Sequence, residues 1–270
     1  MNPTSLPLTK IRPPSGWQAL NLAQLWHARD LMLAFAARDV KLRYRQTVLG
    51  VAWVLLLPLV SAGIFSFVFG KVAGLHTGFA FSYAGLLCWN VFSSTLSKTS
   101  GSLVQNSGLI SKIYFPRLVL PISTILSTLL DFLVALAVFP ALFFFSKIPV
   151  TLAIVLLPAW LLITLMLATG CGLFAAALMV SYRDVQHILP VLVPFLLYAS
   201  PVGYNVPARY RDLFAWNPLT AILDGFRWSL LGSDAPTWTA VSYSLAVAVA
   251  VLLGGVFAFK NKEREFADVI

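Results

Sequence analysis

The stretch RDVKLRYRQTVLGVAWVLLLP, residues 38 to 58, passes from a dense cationic segment into a long apolar one with no linker between them. After Arg45, the next charged residue is Lys71. The apolar stretch is therefore longer than the ~20 residues that a helix needs to span a bilayer. Basic residues at one end of such a span are typical of the cytoplasmic side. The junction predicts a first membrane span that begins in the cytoplasm.

The composition indicates a membrane protein. Hydrophobic residues make up 59% of the 270 residues and charged residues only 11%, which is too few to cover a soluble globule of this size. Long apolar runs predict an all-α integral membrane fold. The basic excess of 19 Lys and Arg over 10 Asp and Glu lies in short connections rather than over a polar domain, so nucleic acid is not an expected partner. Cys88 and Cys171 lie in apolar segments, where we expect packing residues rather than a disulfide.

A transmembrane domain of six spans is predicted over residues 48–259. The third and fourth spans are long, and Pro140 and Pro158 are expected to break them. The predicted spans are 48–70, 79–97, 118–145, 150–180, 188–204 and 237–259.

The segments that flank this domain are expected in the cytoplasm. With both termini inside, 14 of the 19 Lys and Arg residues fall in inside segments and 5 in outside segments, as the positive-inside rule requires. Residues 1–16 contain four Pro and predict an extended tail with no cleavable signal peptide, so the whole chain is expected to be mature protein. Residues 17–47 predict an amphipathic helix on the cytoplasmic membrane surface, and residues 260–270 predict a cytoplasmic tail.

No catalytic motif is apparent in the sequence. The three histidines, His27, His76 and His187, are far apart, and HExxH, GxSxG and paired-carboxylate motifs are missing. A Walker phosphate loop is missing as well, so the chain cannot hydrolyse ATP in that manner. These observations predict a protein that is not an enzyme and that binds no metal or cofactor of its own.

Asp131 is an acidic residue well inside a predicted span. An unpaired carboxylate is expensive in a membrane, so such a residue is a functional candidate. Alternatively, Asp131 pairs with a polar or basic group of a neighbouring helix or faces a water-filled cavity. A proton-coupled carrier is disfavoured, because it normally needs more groups of this kind.

The connection between the second and third spans contains a segment, 103–116, that is more apolar than a free loop needs. It either lies on the membrane or docks into a soluble partner protein. The residues expected to make such a contact are Leu103, Val104, Leu109, Ile110, Ile113 and Tyr114.

The segment 205–232 predicts an external re-entrant or surface helix pair. Asn217 is suited to cap a helix, Pro218 to occupy its first position and Gly232 to end it. The aromatic residues of this region form either an interfacial belt or an exit gate that stacks on sugars.

Five blocks of the sequence resemble the membrane subunits of ABC-2 type exporters for polysaccharides, such as O-antigen and teichoic acid permeases. The blocks are RDVKLRYRQTVLGVAWVLLLPL at 38–59, SGLISKIYFPRLVLPIS at 107–123, YRDVQHILPVLVPFLLYASPVGY at 182–204, NPLTAILDGFR at 217–227 and FKNKEREFADVI at 259–270.

This resemblance implies a multi-pass subunit in the bacterial inner membrane that forms a homodimer and binds two copies of a separate ATP-binding subunit. ATP and Mg²⁺ would bind to that partner. By the same resemblance, 103–116 is a coupling helix seated on the ATPase, and 205–232 gates the exit of a channel for a glycan, which would be lipid-linked.

Two groups of side chains are then expected to meet the glycan. Arg38, Lys41, Arg43 and Arg45 either attract the pyrophosphate of the lipid-linked substrate or serve only topology and lipid binding. Aromatic side chains are expected to line the channel or its gate. The candidates are Tyr83, Trp89, Phe92, Tyr198, Tyr204, Trp216, Phe226 and Trp228.

Two other functions compete with glycan export. An ABC-2 exporter of drugs or other small hydrophobic molecules shares the fold, but the basic interface helix and the Phe-Pro-Arg sequence at 115–117 favour a glycan exporter. A membrane-embedded enzyme or scaffold would need a polar catalytic cluster, and the single acid inside a span argues against it.

Overall fold

The computed structural model describes residues 22–45, 50, 52–75, 77–110, 112 and 115–263, except for the side chains of residues 22–24, 43 and 44. The regular structure in these ranges is helical throughout. In chain order the helices are α1 Leu22–His27, α2 Arg29–Tyr44, α3 Ala52–Phe65, which continues as a π-helix over Ser66–Val72, α4 Phe79–Gln105, α5 Ser107–Ile110, α6 Val119–Leu136, α7 Phe139–Ser146, a 3-10 helix Leu152–Leu156 that leads into α8 Leu157–Ser181, α9 Val185–Ala199, a 3-10 turn Ala208–Tyr210, α10 Arg211–Ala215, α11 Pro218–Leu231 and α12 Trp238–Lys262.

The predicted spans coincide with helices, which confirms the all-α fold for the described residues. Four helical stretches are long and apolar enough to cross a membrane: Ala52–Val72, Val119–Ser146, Leu152–Ser181 and Trp238–Lys262. The other two predicted spans do not belong to this group. The second coincides with α4, which carries many hydroxyl groups, and the fifth coincides with α9, which has only 15 residues. The number of six spans therefore stays a prediction.

Helix α4 is the centre of the bundle, with α3, α6, α8, α9 and α11 packed around it. Ser82, Thr95, Thr99, Ser100 and Ser102 of this helix are buried, and Thr99 Oγ1 lies 3.2 Å from Thr124 Oγ1 of α6. Cys88 is buried as well, 3.8 Å from the Thr164 hydroxyl of α8. Small and hydroxyl-bearing residues are typical of contacts between membrane helices, because they allow close approach and hydrogen bonding. The polar composition of α4 thus follows from its central position.

Helices α8 and α12 cross at a pair of glycines. A Cβ atom on Gly170 would lie 2.6 Å from the Leu252 Cα atom, and one on Gly255 would overlap the carbonyl oxygen of Gly170. The two backbones can therefore approach only because neither residue has a side chain. A Cβ atom on Gly254, the neighbour of Gly255, would meet no other atom within 4 Å.

We expect Gly255→Ala to weaken the fold by about 1–3 kcal/mol, because the added methyl group forces α12 away from α8. Gly254→Ala is the matched control, and its stability should be unchanged or slightly higher. The unfolding midpoint of each variant in detergent measures the difference. Equal midpoints for the two variants would show that the helices do not cross closely at Gly255.

The predicted breaks in the third and fourth spans are confirmed. Helix α6 ends at Leu136 and α7 begins at Phe139 with Pro140 in its first turn. A 3-10 helix gives way to α8 at Leu157, again with Pro158 in the first turn. Proline is tolerated there because the first amide groups of a helix have no partner within it.

The region predicted to form one amphipathic helix before the first span is divided by a turn at Ala28 into α1 and α2. Helix α2 lies against α6. At the other end of the chain, α12 continues to Lys262, beyond the predicted end of the last span. The tail 1–16 lies outside the described residues.

Candidate functional site

A second packing cluster, separate from the core around α4, joins α2, the end of α4, the start of α6, α8 and the end of α12. We call it the Phe35 cluster. Leu109 and Ile110 of α5 pack against its edge. Helix α2, the described part of the connection 103–116 and the end of α12 therefore form one packed unit. The buried members are Phe35, Leu103, Phe115, Leu118, Val119, Leu120, Leu173, Ala176, Val180 and Phe259.

Polar contacts reinforce this unit. Arg38 donates hydrogen bonds to the Asn106 side-chain oxygen at 2.7 Å and to the Asp39 carboxylate at 2.9 Å. Its guanidinium also lies 5.1 Å from the centre of the Phe35 ring. Asn106 follows the last turn of α4, and Arg117 donates to the backbone carbonyl of Glu263 beyond α12. The polar contacts join the same elements as the apolar cluster.

Of the predicted coupling residues, Leu103 belongs to the Phe35 cluster, and Leu109 and Ile110 pack against it. Leu103 is fully buried, whereas Val104, Leu109 and Ile110 are half-buried. Ile113 and Tyr114 lie outside the described residues. The exposed positions of this segment are Gln105, Gly108 and Lys112.

The predicted basic group has two different environments. Arg38 is held by Asp39 and Asn106, whereas Lys41 and Arg45 are exposed near the end of α2. The side chain of Arg43 lies outside the described part of the chain.

Arg227 of α11 clamps the turn that follows α9. Only 3% of its side chain is exposed, and it donates to the carbonyl oxygens of Pro201 at 2.6 Å and Val202 at 2.9 Å. Its guanidinium also bonds Asp224 at 3.2 Å and lies 3.8 Å from the ring centre of Phe81 in α4. Burial lowers the pKa of Arg227 to about 10, which leaves it protonated at neutral pH.

Gly85 of α4 makes this clamp possible. A Cβ atom there would overlap the carbonyl oxygen of Val202 and lie 3.0 Å from Nη2 of Arg227. Helix α11 itself follows the prediction, with Asn217 capping the Leu219 amide, Pro218 at its first position and Gly232 in the left-handed conformation at its end. The apolar face of this helix is buried at Leu219, Ile222, Leu223 and Phe226.

A chain of aromatic rings links the end of the first span to the segment before α11. The ring of Tyr204 lies 5.4 Å from Phe69 and 6.1 Å from Phe214, and its hydroxyl donates to the carbonyl of Tyr198 at 2.8 Å. The Tyr243 hydroxyl of α12 donates to the Trp216 carbonyl at 3.0 Å.

The aromatic residues predicted for the channel or gate are divided by burial. Tyr83, Trp89, Phe92 and Phe226 are buried in the core around α4, so they offer a ligand no surface in this conformation. Tyr204 and Trp228 are half-buried. Tyr198 and Trp216 are exposed.

Asp131 is paired with a basic residue of a neighbouring helix, one of the alternatives that the sequence left open. Its Oδ2 atom lies 3.0 Å from Lys98 Nζ of α4, and the two side chains are 18% and 19% exposed. Lys98 also donates to the hydroxyl groups of Ser127 and Thr128. Within the described ranges, no group of three or more His, Cys, Asp or Glu side chains could hold a metal ion.

The family model for ABC-2 type transporters matches residues 30–231, which include nearly all of α2, the helices from α3 to α11 and the regions described above except for their α12 residues. The chain belongs to the ABC-2 type transporter family. Its apolar helices are accordingly those of a multi-pass membrane protein.

This ABC-2 protein is similar to named transport proteins over nearly its whole length. It is 27% identical to the O-antigen export system permease protein RfbA of Myxococcus xanthus over 92% of this chain and 98% of that protein. It is 24% identical to a protein of the same name from Klebsiella pneumoniae, over 89% of this chain and 95% of that protein. It is 25% identical to the polysialic acid transport protein KpsM of Escherichia coli, over 86% of this chain and 93% of that protein.

The sequence of this ABC-2 protein alone does not identify the residues that pair with the buried side chains of Asp131 and Arg227. Lys98 falls at the start of the predicted connection after the second span, but α4 continues past it to Gln105. Arg227 stands out in the sequence only as the last residue of the block NPLTAILDGFR. Its place in a mainly apolar helix is a signal that it needs buried acceptors.

Proposed function

We propose that this chain is the membrane subunit of an ATP-driven exporter that carries a polysaccharide of the O-antigen type out of the cytoplasm. The observation that carries the proposal is the similarity to O-antigen export permeases over almost the full length of both chains, within the ABC-2 family. The sequence blocks that resemble polysaccharide exporters extend from the first span to the end of the chain. The protein would lie in the bacterial inner membrane.

The proposed topology has six spans and both termini in the cytoplasm. In that topology the two additional spans are α4 and α9. The distribution of Lys and Arg supports it, because most of them fall on the cytoplasmic side. The Phe35 cluster then lies at the cytoplasmic surface, and the Arg227 clamp lies at the external end.

The proposed assembly contains two copies of this chain and two copies of a separate ATP-binding subunit, which would bind ATP and Mg²⁺. A separate ATPase is needed because the sequence has no phosphate-binding loop. A second copy could cover α9, which has no buried residue and exposes Val191, Phe195 and Tyr198. The channel would form between the two copies.

The proposed coupling contact is the connection 103–116. Because Leu103 is buried and Leu109 and Ile110 lean on the Phe35 cluster, a movement of this segment would be transmitted to α2 and α12. The contact with the ATPase would then involve the exposed edge, which includes Gln105 and Lys112.

Of the basic residues near the first span, Lys41 and Arg45 are placed best to attract a lipid pyrophosphate, since both are exposed. Arg38 is engaged within the protein. At the external side, Tyr198, Tyr204 and Trp216 present aromatic surface on which a sugar could stack as it leaves.

A deletion in the native bacterium tests the function. Cells without this gene should lose the glycan from their surface and accumulate it, linked to lipid, on the cytoplasmic side of the inner membrane. The wild-type gene should restore the surface glycan. Unchanged surface glycan, together with increased sensitivity to hydrophobic drugs, would instead support the exporter of small molecules.

We expect the double variant Leu109→Glu, Ile110→Glu to reach the membrane but to lose ATP-driven export almost completely, because charges at these half-buried positions detach the coupling segment from the Phe35 cluster and displace the exposed edge that the ATPase would contact. Leu213→Glu, a single added charge on exposed α10 at the other side, is the control and should export normally. Surface glycan and the amount of ATPase that copurifies are measured together. A double variant that retains its ATPase and exports normally would contradict the coupling role.

A further inference from the structure

A cavity with a mainly apolar lining and several polar groups lies between α3, α4 and α6, inside the region proposed to span the membrane. Its volume is about 230 Å³. It is several times larger than the ~30 Å³ that one water molecule occupies, and smaller than the roughly 300–1,000 Å³ typical of sites for drug-sized ligands. The cavity is therefore of a size to hold one small ring. The lining includes the side chains that would contact a ligand: Trp53, Ser61, Asn90, Ser94, Asp131 and Phe132.

The cavity offers hydrogen-bonding groups that the fold does not use. The side chains of Ser61, Asn90 and Ser94 make no hydrogen bond to another described residue. An amide can make several such bonds, and leaving it unpaired in an apolar environment costs free energy. The half-buried Asn90 amide lines the cavity and is therefore available to a polar ligand.

The charge of the cavity is balanced. Asp131 lines it, and Lys98 pairs with Asp131 at 3.0 Å. No lysine or arginine is among the described residues that line the cavity. An anion such as a phosphate group would therefore meet a carboxylate and no lining cation, whereas an uncharged ligand with hydroxyl groups would meet donors and acceptors.

The cavity also has an aromatic wall. Trp53 of α3 is 48% exposed and lines the cavity together with the exposed Leu57, whereas Phe132 is buried. An indole ring presents a flat apolar face, and the C–H face of a sugar ring is its natural partner. A flat aromatic ring beside an amide, two hydroxyl groups and a carboxylate is suited to a molecule that is apolar on one face and hydroxylated on its edges.

We propose that this cavity is a subsite for one uncharged sugar ring, with Trp53 against its C–H face and with Ser61, Asn90, Ser94 and Asp131 bonding its hydroxyl groups. The proposal rests on the proposed function and adds a specific contact to it. A subsite that opens between α3, α4 and α6, separate from the exposed external aromatic residues, would hold a sugar unit as the glycan starts to cross.

A binding experiment on the intact protein tests the subsite. The probe is decyl maltoside, titrated into the purified chain in vesicles of phosphatidylethanolamine and phosphatidylglycerol, with tryptophan fluorescence as the signal and Trp53→Phe to identify the contribution of Trp53. We expect saturable quenching that Trp53→Phe removes. Decyl phosphocholine has the same alkyl chain without a sugar and should not quench. Equal quenching by both probes would mean that the cavity accepts any amphiphile and would overturn the proposal.

Two variants separate binding from folding. Asn90→Leu should leave the stability of the unliganded protein unchanged or higher, since Asn90 has no partner in the described structure, but weaken the binding of decyl maltoside roughly tenfold. Ser94→Ala should weaken it less, and Ser97→Ala on the exposed side of α4 should have no effect. Unchanged binding in Asn90→Leu would overturn the subsite.

The subsite and the proposed function can fail separately. If Asn90→Leu reaches its half-maximal export rate at the same glycan concentration as the wild type, the proposed subsite is wrong but the proposed export function is unaffected. If the wild-type protein exports no glycan at all, the proposed function is wrong, whatever decyl maltoside does.

Discussion

Replacing Lys98 by Met should destabilise the protein by about 3–5 kcal/mol, which is enough to remove most of the folded protein. The reason is that Asp131 would remain in the bundle, less than a fifth exposed, without its cation at 3.0 Å. The hydroxyl groups of Ser127 and Thr128, which now accept from Lys98, cannot compensate a negative charge fully. Asp131→Leu should cost a similar amount for the opposite reason.

The double variant Lys98→Met, Asp131→Leu distinguishes a charge effect from loss of packing. It leaves neither charge behind, so it should recover most of the stability that each single variant loses. Asp30→Asn is the control, because the Arg29–Asp30 pair is exposed and should contribute at most about 1 kcal/mol. Unfolding midpoints in detergent give the comparison. A double variant no more stable than the single ones would contradict the role of a buried pair.

The second large effect is expected at Arg227. Replacing it by Met removes the donors for the carbonyl groups of Pro201 and Val202 and the cation beside Asp224, at a cost of about 3 kcal/mol or more. The turn after α9 should lose its fixed position against α4. Surface glycan should fall with the loss of stability, because this turn leads into the proposed exit gate.

Two further substitutions at the clamp test whether its geometry is responsible for this effect. Arg227→Lys should be intermediate, since an ammonium group cannot reproduce the planar fork that reaches both carbonyl groups. Gly85→Ala should resemble Arg227→Met, because its methyl group overlaps the Val202 carbonyl. Arg183→Met, at an exposed position just before α9, is the control and should be neutral. If Arg227→Met were as stable as Arg183→Met, Arg227 would not be a clamp.

The helices were predictable where local sequence determines them. Asn217, Pro218 and Gly232 mark the ends of α11, and the structure places all three as expected, because capping depends only on neighbouring residues. Pro140 and Pro158 likewise marked breaks in long apolar stretches.

Pairings across the bundle were not predictable from one sequence. Lys98 and Asp131 are separated by a connection and lie on different helices, so their contact depends on how α4 packs against α6. Leu103 and Phe92 are buried because α4 lies at the centre of the bundle. A search for apolar segments does not reveal that central position, because α4 contains many hydroxyl groups. An aromatic residue looks the same in the sequence whether its side chain is exposed or buried. The aromatic residues predicted for the channel therefore include both buried and exposed side chains.

Helix α4 connects the regions proposed to be cytoplasmic and external. Its end carries Asn106, which Arg38 holds, and its opposite half carries Gly85, against which the Arg227 clamp packs. Lys98 lies between these points and ties α4 to α6. A movement of the connection 103–116 would therefore reach the external turn through one continuous helix.

The most direct test of glycan export is transport by the purified complex. The chain and its ATP-binding partner are placed in vesicles with the ATPase facing outwards, together with the lipid-linked glycan of the native bacterium, and lectin access to the glycan is followed after ATP is added. We predict that ATP moves glycan into the lumen, where the lectin cannot reach it. A glycan that stays accessible while ATP drives a hydrophobic dye across the same membrane would contradict the proposed function.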